Sequence, residues 1–317
     1  MSRKEFSRDI IKLENVEQTC NNIIKKLRED VVNVLGRKGA IVGISGGIDS
    51  TVTFALSVKA FGAENVIGIM LPEKDSSPDS ENFAKKLADK FGVKTITENI
   101  SAALEGFGCY RRRDEAMARV FPEYNPIDYK SKISIKQNVL KQNMPSVFSL
   151  TIIDKDGNEK SKVLPIKEYL QIVAASNFKQ RSRMSMLYYH AEANHYAVIG
   201  TPNKHEVEQG FFVKYGDGGA DVMPIGDLYK SQVYQLAKYL DVPREIIERT
   251  PTTDTYSAEQ TQEEFFYQLP FDLLDLIWFG WENDYQAEEV GKALDLTADQ
   301  VEHVYKTFER KKKQLII

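Results

Sequence analysis

A glycine-rich turn between an apolar strand and a helix is the feature of this chain that most constrains its fold. Residues 43–51 read GISGGIDST, directly after the apolar run 40–42 and directly before a helix-forming stretch. Glycines let a main chain turn tightly, and the amides at a helix start direct partial positive charge at an anion. The sequence therefore predicts a phosphate-binding loop between a strand and a helix.

The residue pattern of this loop limits the class of phosphate-binding loop that it can be. Loops of the kinase and GTPase type follow GxxxxGK[ST], and no lysine follows the glycines here. Asp49 instead suggests a magnesium ion held beside phosphates. A bare Gly-Gly pair is often only a tight connection, but the full SGGxDS string between strand and helix is more specific. It resembles the loop of pyrophosphatase-loop enzymes, which split ATP between its α and β phosphates to adenylate an acceptor oxygen or a base.

Apolar runs and helical patterns alternate along the chain, as in α/β proteins. Strands are expected at 40–42, 66–71, 93–97 and 196–199, and helices at 15–35, 50–61, 80–91, 176–193 and 227–240. This βαβαβ order predicts a doubly wound parallel sheet. Such sheets bind ligands at the carboxyl ends of their strands, where the glycine loop and the turn 71–73 both fall.

The chain divides into an α/β part and a helical tail. We expect an ATP-pyrophosphatase α/β domain over residues 1–262 and a helical region over 263–317. Residues 106–167 are interpreted as an insertion, with a β-hairpin that runs out along 148–153 and back along 161–165. The basic run 110–113 is either a solvated face or an anion-binding edge over the crevice.

Composition places the chain among ordinary globular proteins. It has 317 residues, 42% of them hydrophobic, and a formal charge of −4, which gives nucleic-acid binding no support. Cys20 and Cys109 lack metal-ligand spacing, so we expect free thiols in a reducing cytoplasm. The polar N-terminus lacks a signal-peptide core, and no apolar run reaches the roughly 20 residues of a membrane span.

A second group of functional side chains is expected in the loop 200–230, GTPNKHEVEQGFFVKYGDGGADVMPIGDLYK. Its carboxylates suit a metal or ligand, and its lysines suit phosphate or carboxylate oxygens. These residues are Glu206, Lys214, Asp217, Asp221 and Lys230. The acids on their own could equally be turn formers. Gly216, Gly218 and Gly219 would permit unusual backbone angles, and His205 receives no catalytic role.

Together, SGGIDST and KYGDGGAD resemble the ammonia-dependent NAD synthetase family. The resemblance covers residues 15–100 and 177–253, including NFKQRSRM at 177–184, and leaves out the insertion. It implies an adenine nucleotide alpha hydrolase-like fold, a homodimer, and an ATP-dependent ligase of NAD biosynthesis. In the implied reaction, the nicotinate carboxylate of deamido-NAD attacks the α-phosphorus of ATP, and ammonia then displaces AMP to give NAD.

The resemblance also implies roles for individual positions. The ATP phosphates would be held by Gly43, Ile44, Ser45, Gly46, Gly47, Ile48, Asp49 and Ser50, with Thr201, Lys230 and Thr252 as further ATP contacts. Asp49 and Glu206 would hold Mg2+. Arg181, Lys214 and Asp221 would bind deamido-NAD. Asp217 would help ammonia lose its proton, so that Asp49, Asp217 and Lys230 form the catalytic set.

Departures from the family pattern keep alternatives open. The chain ends in FERKKKQ at 308–314 without the His-Lys pair usual in the family, so a relative that amidates another carboxylate in a sugar or natural-product pathway remains possible. A tRNA-modifying adenylase or a noncatalytic nucleotide-binding regulator are further alternatives. The stretch 287–301 looks like a helix-turn-helix with Thr297 as N-cap, although Asp299 and Glu302 would disfavour DNA.

The length of the chain leaves no room for a glutamine-hydrolysing domain beside the regions already assigned. Ammonia is therefore expected from solution or from a separate glutaminase partner.

Overall fold

A four-stranded parallel sheet forms the centre of the protein. The computed structural model describes residues 3–135, 147–252, 256–258, 260–262 and 266–315. Its strands are β1 (Ala40–Gly43), β2 (Val66–Met70), β3 (Lys94–Thr97), β4 (Lys130–Ile135), β5 (Phe148–Ile153), β6 (Glu159–Val163) and β7 (Ala197–Ile199). The central sheet has the order β3-β2-β1-β7, with all neighbours parallel.

The helices lie before, between and after these strands. They are α1 (Val16–Arg28), α2 (Ile48–Phe61), α3 (Pro78–Phe91), α4 (Ser101–Gly106), α5 (Cys109–Val120), α6 (Ile166–Asn194), α7 (Lys204–Glu208), α8 (Lys230–Tyr239), α9 (Arg244–Ile247), α10 (Phe271–Glu282), α11 (Ala287–Leu294) and α12 (Ala298–Leu315). A π-helical turn, Glu29–Val34, extends α1 toward β1, so the expected helix 15–35 is present.

Both faces of the central sheet are covered by helices, which confirms the doubly wound parallel arrangement. On one face, Ala40 and Val42 of β1 pack in a core shared with α1, α2 and α8. On the other face, Ile41 packs against Met184 and Leu187 of α6. Successive side chains of a strand point to opposite faces, so a continuous apolar run serves both layers.

The segment 106–167 contains more structure than the sequence indicated. The expected hairpin is present as antiparallel β5 and β6, but β4 pairs with the other edge of β5 to make a three-stranded sheet. The helix α5 was also missed. Both lack strong apolar periodicity, since β4 reads KSKISI and α5 contains the run RRRDE. Their buried residues, Ala116 and Met117 of α5 and Ile133 of β4, become apparent only in the folded chain. There they share a core with Leu150 of β5 and Ile172 of α6.

The C-terminal helices form a separate hydrophobic core around Trp278, which is fully buried. Phe6 and Ile11 from the start of the chain are buried in the same core. The pair α11–α12 packs there too, with Thr297 Oγ1 accepting a hydrogen bond from Gln300 N at 3.2 Å as the expected N-cap. The domain boundary at residue 263 stays a prediction. Among the described residues, no helix combines the length and apolar character that crossing a bilayer requires.

Candidate active site

A crevice opens where the glycine loop, the loop after β7 and the start of α8 meet. Its walls come from five separate stretches of the chain. They are lined by Ser45, Gly47, Ile48, Asp49, Ser50, Thr201, Glu206, Lys230, Arg249, Thr250, Pro251, Thr252 and Gln262. The ATP contacts expected from the sequence at Thr201, Lys230 and Thr252 therefore share one crevice with most of the glycine loop.

The glycine loop is held by hydroxyl hydrogen bonds at the start of α2. Ser50 Oγ donates to Gly47 O at 3.0 Å, and Gly47 N donates to Ser45 Oγ at 3.3 Å. Gly46 has φ of +73°, a conformation that favours glycine. The first turn of α2, whose amides have no acceptor within the helix, lines the crevice with Ile48, Asp49 and Ser50, as an anion site requires.

Not every residue of the loop reaches the crevice. Gly43 ends β1, and Ile44 is a buried member of the sheet core. Gly46 lies against Phe83 and accepts a hydrogen bond from Arg249 through its carbonyl. These three residues place the loop, while the five lining residues present amides and side chains to a ligand.

Asp49, Lys230 and Glu206 form a charged cluster at the base of the crevice. Lys230 Nζ lies 2.5 Å from Asp49 Oδ2, and the Lys230 side chain is fully buried. Asn203 bridges the cluster, since its Nδ2 donates to Asp49 Oδ1 at 3.3 Å and its main-chain N donates to Glu206 Oε2 at 2.9 Å. Two acids therefore share a single buried cation.

This crowding shifts the protonation of the cluster. Burial, with help from the charge of Asp49, raises the pKa of Glu206 to about 8, although Lys230 opposes the shift. Burial would lower the pKa of Lys230, but the charges of Asp49 and Glu206 outweigh it and raise that pKa. With both acids ionised the cluster would carry more negative charge than Lys230 compensates, so Glu206 keeps its proton unless a divalent cation supplies the missing positive charge.

The donor set fits magnesium. Asp49 and Glu206 offer carboxylate oxygens to the crevice, and Mg2+ is usually held by one or two carboxylates plus substrate phosphates and water. No group of three or more His, Cys, Asp or Glu side chains suited to a metal occurs in the part of the chain that the structure describes. A cation here would therefore take its remaining ligands from phosphate and water.

The pKa of Glu206 predicts a pH-dependent stability for the metal-free protein. The folded chain keeps this proton to about pH 8, whereas the unfolded chain releases it near pH 4.5. Between these values the folded state binds more protons, so the free energy of unfolding contributed by Glu206 decreases as pH rises. In urea titrations with chelator, the free energy of unfolding of wild type should decrease relative to that of Glu206→Gln as pH rises from about 4.5 to about 8. Parallel pH profiles for the two proteins would contradict the assignment.

The residues expected to hold the dinucleotide lie outside the crevice lining. Arg181 Nε donates to the main-chain oxygen of Lys214 at 3.1 Å. Asp221 accepts from the Tyr188 hydroxyl at 2.9 Å and from Val198 N at 2.8 Å. The three expected residues thus lie on α6 and on the loop that it supports, and their role in substrate binding stays a prediction.

Asp217 begins a short 3-10 turn of the same loop, Asp217–Gly219. Its Oδ1 accepts from Val213 N at 2.9 Å, and burial raises its pKa. The expectation of unusual backbone angles holds at Gly216, whose φ of −103° and ψ of −126° lie outside the helical and extended regions. None of the three glycines has positive φ, whereas Tyr215 does, at 62°. Gly218 is needed for space, since a Cβ there would overlap the Phe212 ring.

Sequence reasoning missed part of the crevice wall. Arg249 lines the crevice, donates to Gly46 O at 3.4 Å and to Ser80 Oγ at 3.2 Å, and lies over the Phe83 ring. Gln262 also lines it. A single arginine or a single glutamine in a loop does not indicate a binding site. The only nearby residue that the sequence did assign to the site was Thr252.

The sequence predicted the environment of only part of the basic run 110–113. Arg111 and Arg112 are exposed, as on a solvated face, but Arg113 is buried and pairs with Asp75 and Asp114. Lys179 Nζ joins the same cluster, 2.9 Å from Glu73 Oε1 and 2.6 Å from Asp75 Oδ2. Burial would raise the pKa of Asp75, but the charges of Lys179 and Arg113 hold it below its ordinary value. This cluster anchors α5 and α6 to the turn after β2.

The sheet order, the glycine loop and the flanking helices define an α/β protein of the adenine nucleotide alpha hydrolase-like class. The structure of an NMN synthetase from Francisella tularensis has this fold with a TM-score of 0.62 and 24% identity, covering 94% of this chain and 96% of that one. An NH3-dependent NAD synthetase from Campylobacter jejuni has a TM-score of 0.61 at 20% identity, covering 95% of each chain.

The family follows from sequence comparison. The model of the NAD synthase family matches residues 19–123 and 128–315. An NH3-dependent NAD+ synthetase of Rhizobium meliloti strain 1021 is 46% identical over 312 residues, which are 98% of this chain and 92% of that protein. The chain belongs to the NAD synthase family. The resemblance extends further than expected, because the match includes all of the segment 106–167 except residues 124–127.

Proposed function

We propose that this chain is an ammonia-dependent NAD+ synthetase, which makes NAD, AMP and pyrophosphate from deamido-NAD, ATP and ammonia. The observation that carries the proposal is the Asp49–Lys230–Glu206 cluster at the start of α2, in which Lys230 is fully buried. It combines amides, a lysine and two acids beside one crevice. That combination suits a triphosphate with its cation better than a neutral ligand.

ATP is proposed to bind with its phosphates against the first turn of α2. The amides of residues 45 and 47–50, with Thr201 and Thr252 across the crevice, would hold the phosphate oxygens. Mg2+ at Asp49 and Glu206 would neutralise negative charge on the phosphates. Lys230 would stabilise the charge that develops as the α–β bond breaks, and its buried position means that this charge is poorly screened by water.

The substrate carboxylate attacks the α-phosphorus, so no side chain becomes a covalent nucleophile. We assign orientation of deamido-NAD to Arg181, Lys214 and Asp221, supported by their common location on α6 and its loop. Ammonium is protonated at neutral pH, so a base must take a proton before amidation. Asp217 is assigned this role, supported by the upward shift of its pKa through burial, which makes a stronger base.

We further propose a homodimer, supported by apolar side chains that α6 exposes, among them Ile166, Leu170 and Tyr189. A native mass of twice the monomer is the corresponding observation. Ammonia would come from solution or from a separate glutaminase. A cytoplasmic location is proposed from the two free cysteines, Cys20 and Cys109.

The substrate proposal is tested by incubating the protein with ATP, Mg2+, ammonium and one carboxylate at a time. Deamido-NAD should give NAD in amounts equal to the AMP formed, as measured by chromatography. The deamido mononucleotide and unrelated carboxylic acids run in parallel, because an NMN synthetase shares the fold. AMP formed with another acid and not with deamido-NAD would overturn the proposed substrate while leaving the adenylation chemistry in place.

A further inference from the structure

A buried aspartate outside the crevice connects the two helices that carry its charged groups. Asp275 lies on α10 in the C-terminal region, and its side chain is fully buried. Its Oδ1 lies 2.7 Å from His205 Nε2 on α7, and His205 is fully buried as well. A buried carboxylate is costly unless it is paired and hydrogen-bonded, so this position must be satisfied by specific partners.

The same carboxylate caps the start of α8. Ser231 N donates to Asp275 Oδ2 at 2.8 Å, and Lys230 N donates to Asp275 Oδ1 at 3.3 Å. These are the first two amides of the helix, which have no partner within the helix itself. An acid at this point also interacts favourably with the helix dipole. This cap comes from 45 residues along the chain and adds to a local bond at the helix start, in which Tyr229 N donates to Gln232 Oε1 at 3.0 Å.

One side chain therefore fixes two active-site elements relative to each other. Glu206 follows His205 directly on α7, and Lys230 is the first residue of α8. The network continues beyond His205, because Gln209 Nε2 contacts His205 Nδ1 at 3.2 Å and Lys311 Nζ of α12 donates to Gln209 Oε1 at 3.0 Å. The C-terminal helices are thus connected to the base of the crevice through buried polar groups.

We propose that Asp275 is a positioning residue for adenylation, which holds Lys230 and Glu206 at the spacing that the triphosphate requires. This inference rests on the proposed function. Asp275 does not line the crevice, so it acts through the two helices and not on the substrate. The physical reason for a large effect is that a displacement of about 1 Å in a reacting group can cost on the order of 10²-fold in rate.

The test is ATP–pyrophosphate exchange driven by deamido-NAD without ammonia, measured for wild type, Asp275→Asn, Lys230→Met and the double variant. Asparagine keeps the shape of the side chain but has one acceptor oxygen for three donors. We expect Asp275→Asn to lower kcat about 10- to 100-fold with little change in the KM for ATP. In the Lys230→Met background the same substitution should change the rate much less than in wild type, because the part of its effect that acts through Lys230 is already lost.

Leu274→Ala is the matched control, since Leu274 is the buried neighbour of Asp275 on α10 and contributes to the C-terminal core. It should lower Tm at least as much as Asp275→Asn and leave kcat within about twofold at temperatures well below both transitions. His205→Gln is the second variant, because it keeps both amide bonds to Asp275. His205→Gln should lower kcat less than Asp275→Asn does. It replaces Asp275→Asn as the test if that variant does not fold.

Two results, obtained with an active wild type, would overturn this inference and leave the proposed function standing. In the first, the rate losses of Asp275→Asn and Lys230→Met multiply in the double variant. In the second, Leu274→Ala lowers kcat as much as Asp275→Asn does. If Asp275→Asn does not fold, an unchanged kcat in His205→Gln has the same consequence. A wild type that shows no exchange with deamido-NAD would overturn the proposed function first, and this inference with it.

Discussion

Replacing Lys230 by methionine is expected to lower the rate of adenylation about 10²- to 10³-fold, the usual cost of losing one group that stabilises charge in a transition state. Lys230 is the cation that Asp49 and Glu206 share, and methionine approximates its buried volume. ATP–pyrophosphate exchange with deamido-NAD measures this step without the amidation that follows. Binding of deamido-NAD should change little, because its proposed contacts lie outside the crevice.

The control for this substitution is Lys238→Met, which removes an exposed lysine from the same helix. It should keep the exchange rate of wild type. Lys230→Met also leaves two acids near each other without their cation, so some loss of Tm is expected. Rates must therefore be compared at temperatures where all three proteins are folded. A folded Lys230→Met protein with normal exchange would show that the assigned role is wrong.

Replacing Asp217 by asparagine is expected to separate the second half-reaction from the first. If Asp217 takes the proton from ammonium, NAD formation should fall about 10²- to 10⁴-fold, the range of general base catalysis. Exchange between ATP and pyrophosphate should persist, because adenylation does not use ammonia. The amide oxygen of the substituted side chain would still accept the hydrogen bond from Val213 N, so the 3-10 turn has no reason to change.

Asp227→Asn is the matched control for this prediction, since Asp227 is an exposed acid in the same connection between β7 and α8. It should form NAD at the rate of wild type. The base assignment would not survive if Asp217→Asn slowed exchange and NAD formation equally, because the residue would then act before ammonia is needed. Nor would it survive an unchanged rate of NAD formation at limiting ammonium.

The central sheet was predictable because each of its strands, and each helix between them, has a recognisable pattern of apolar residues in its own sequence. β1, β2 and β7 are short apolar runs, as strands buried on both faces must be. β4 and α5 leave no such pattern. β4 places Ile133 against a core that comes from other elements, and α5 buries Arg113, which sequence reasoning assigns to the surface. Their packing is decided by tertiary partners and not by local periodicity.

The crevice was partly predictable for a related reason. The loop 43–51 and the stretch 200–230 carry glycines and acids at a density that a plain connection does not need, and the structure brings Asp49, Glu206 and Lys230 together. Arg249 and Gln262 were missed because each is a single polar residue in an irregular segment. Their approach to the glycine loop depends on long-range packing.

Buried polar networks were the hardest features to infer. His205 was given no role, and Asp275 lies in an apolar helix that reads FDLLDLIWFGWE, where an acid gives no indication of its partner. The partners are two main-chain amides and an imidazole from residues far away in the chain. A hydrogen-bonded cap supplied across the fold has no signature in the neighbouring sequence, so it is visible only in three dimensions.

The central claim is that the crevice positions ATP for cleavage between its α and β phosphates. Phosphorus-31 NMR of a reaction containing the protein, ATP, Mg2+, ammonium and deamido-NAD tests it most directly, because every phosphorus product is seen at once. The account predicts AMP and pyrophosphate in equal amounts, with no signal from ADP. Formation of ADP and orthophosphate would contradict it.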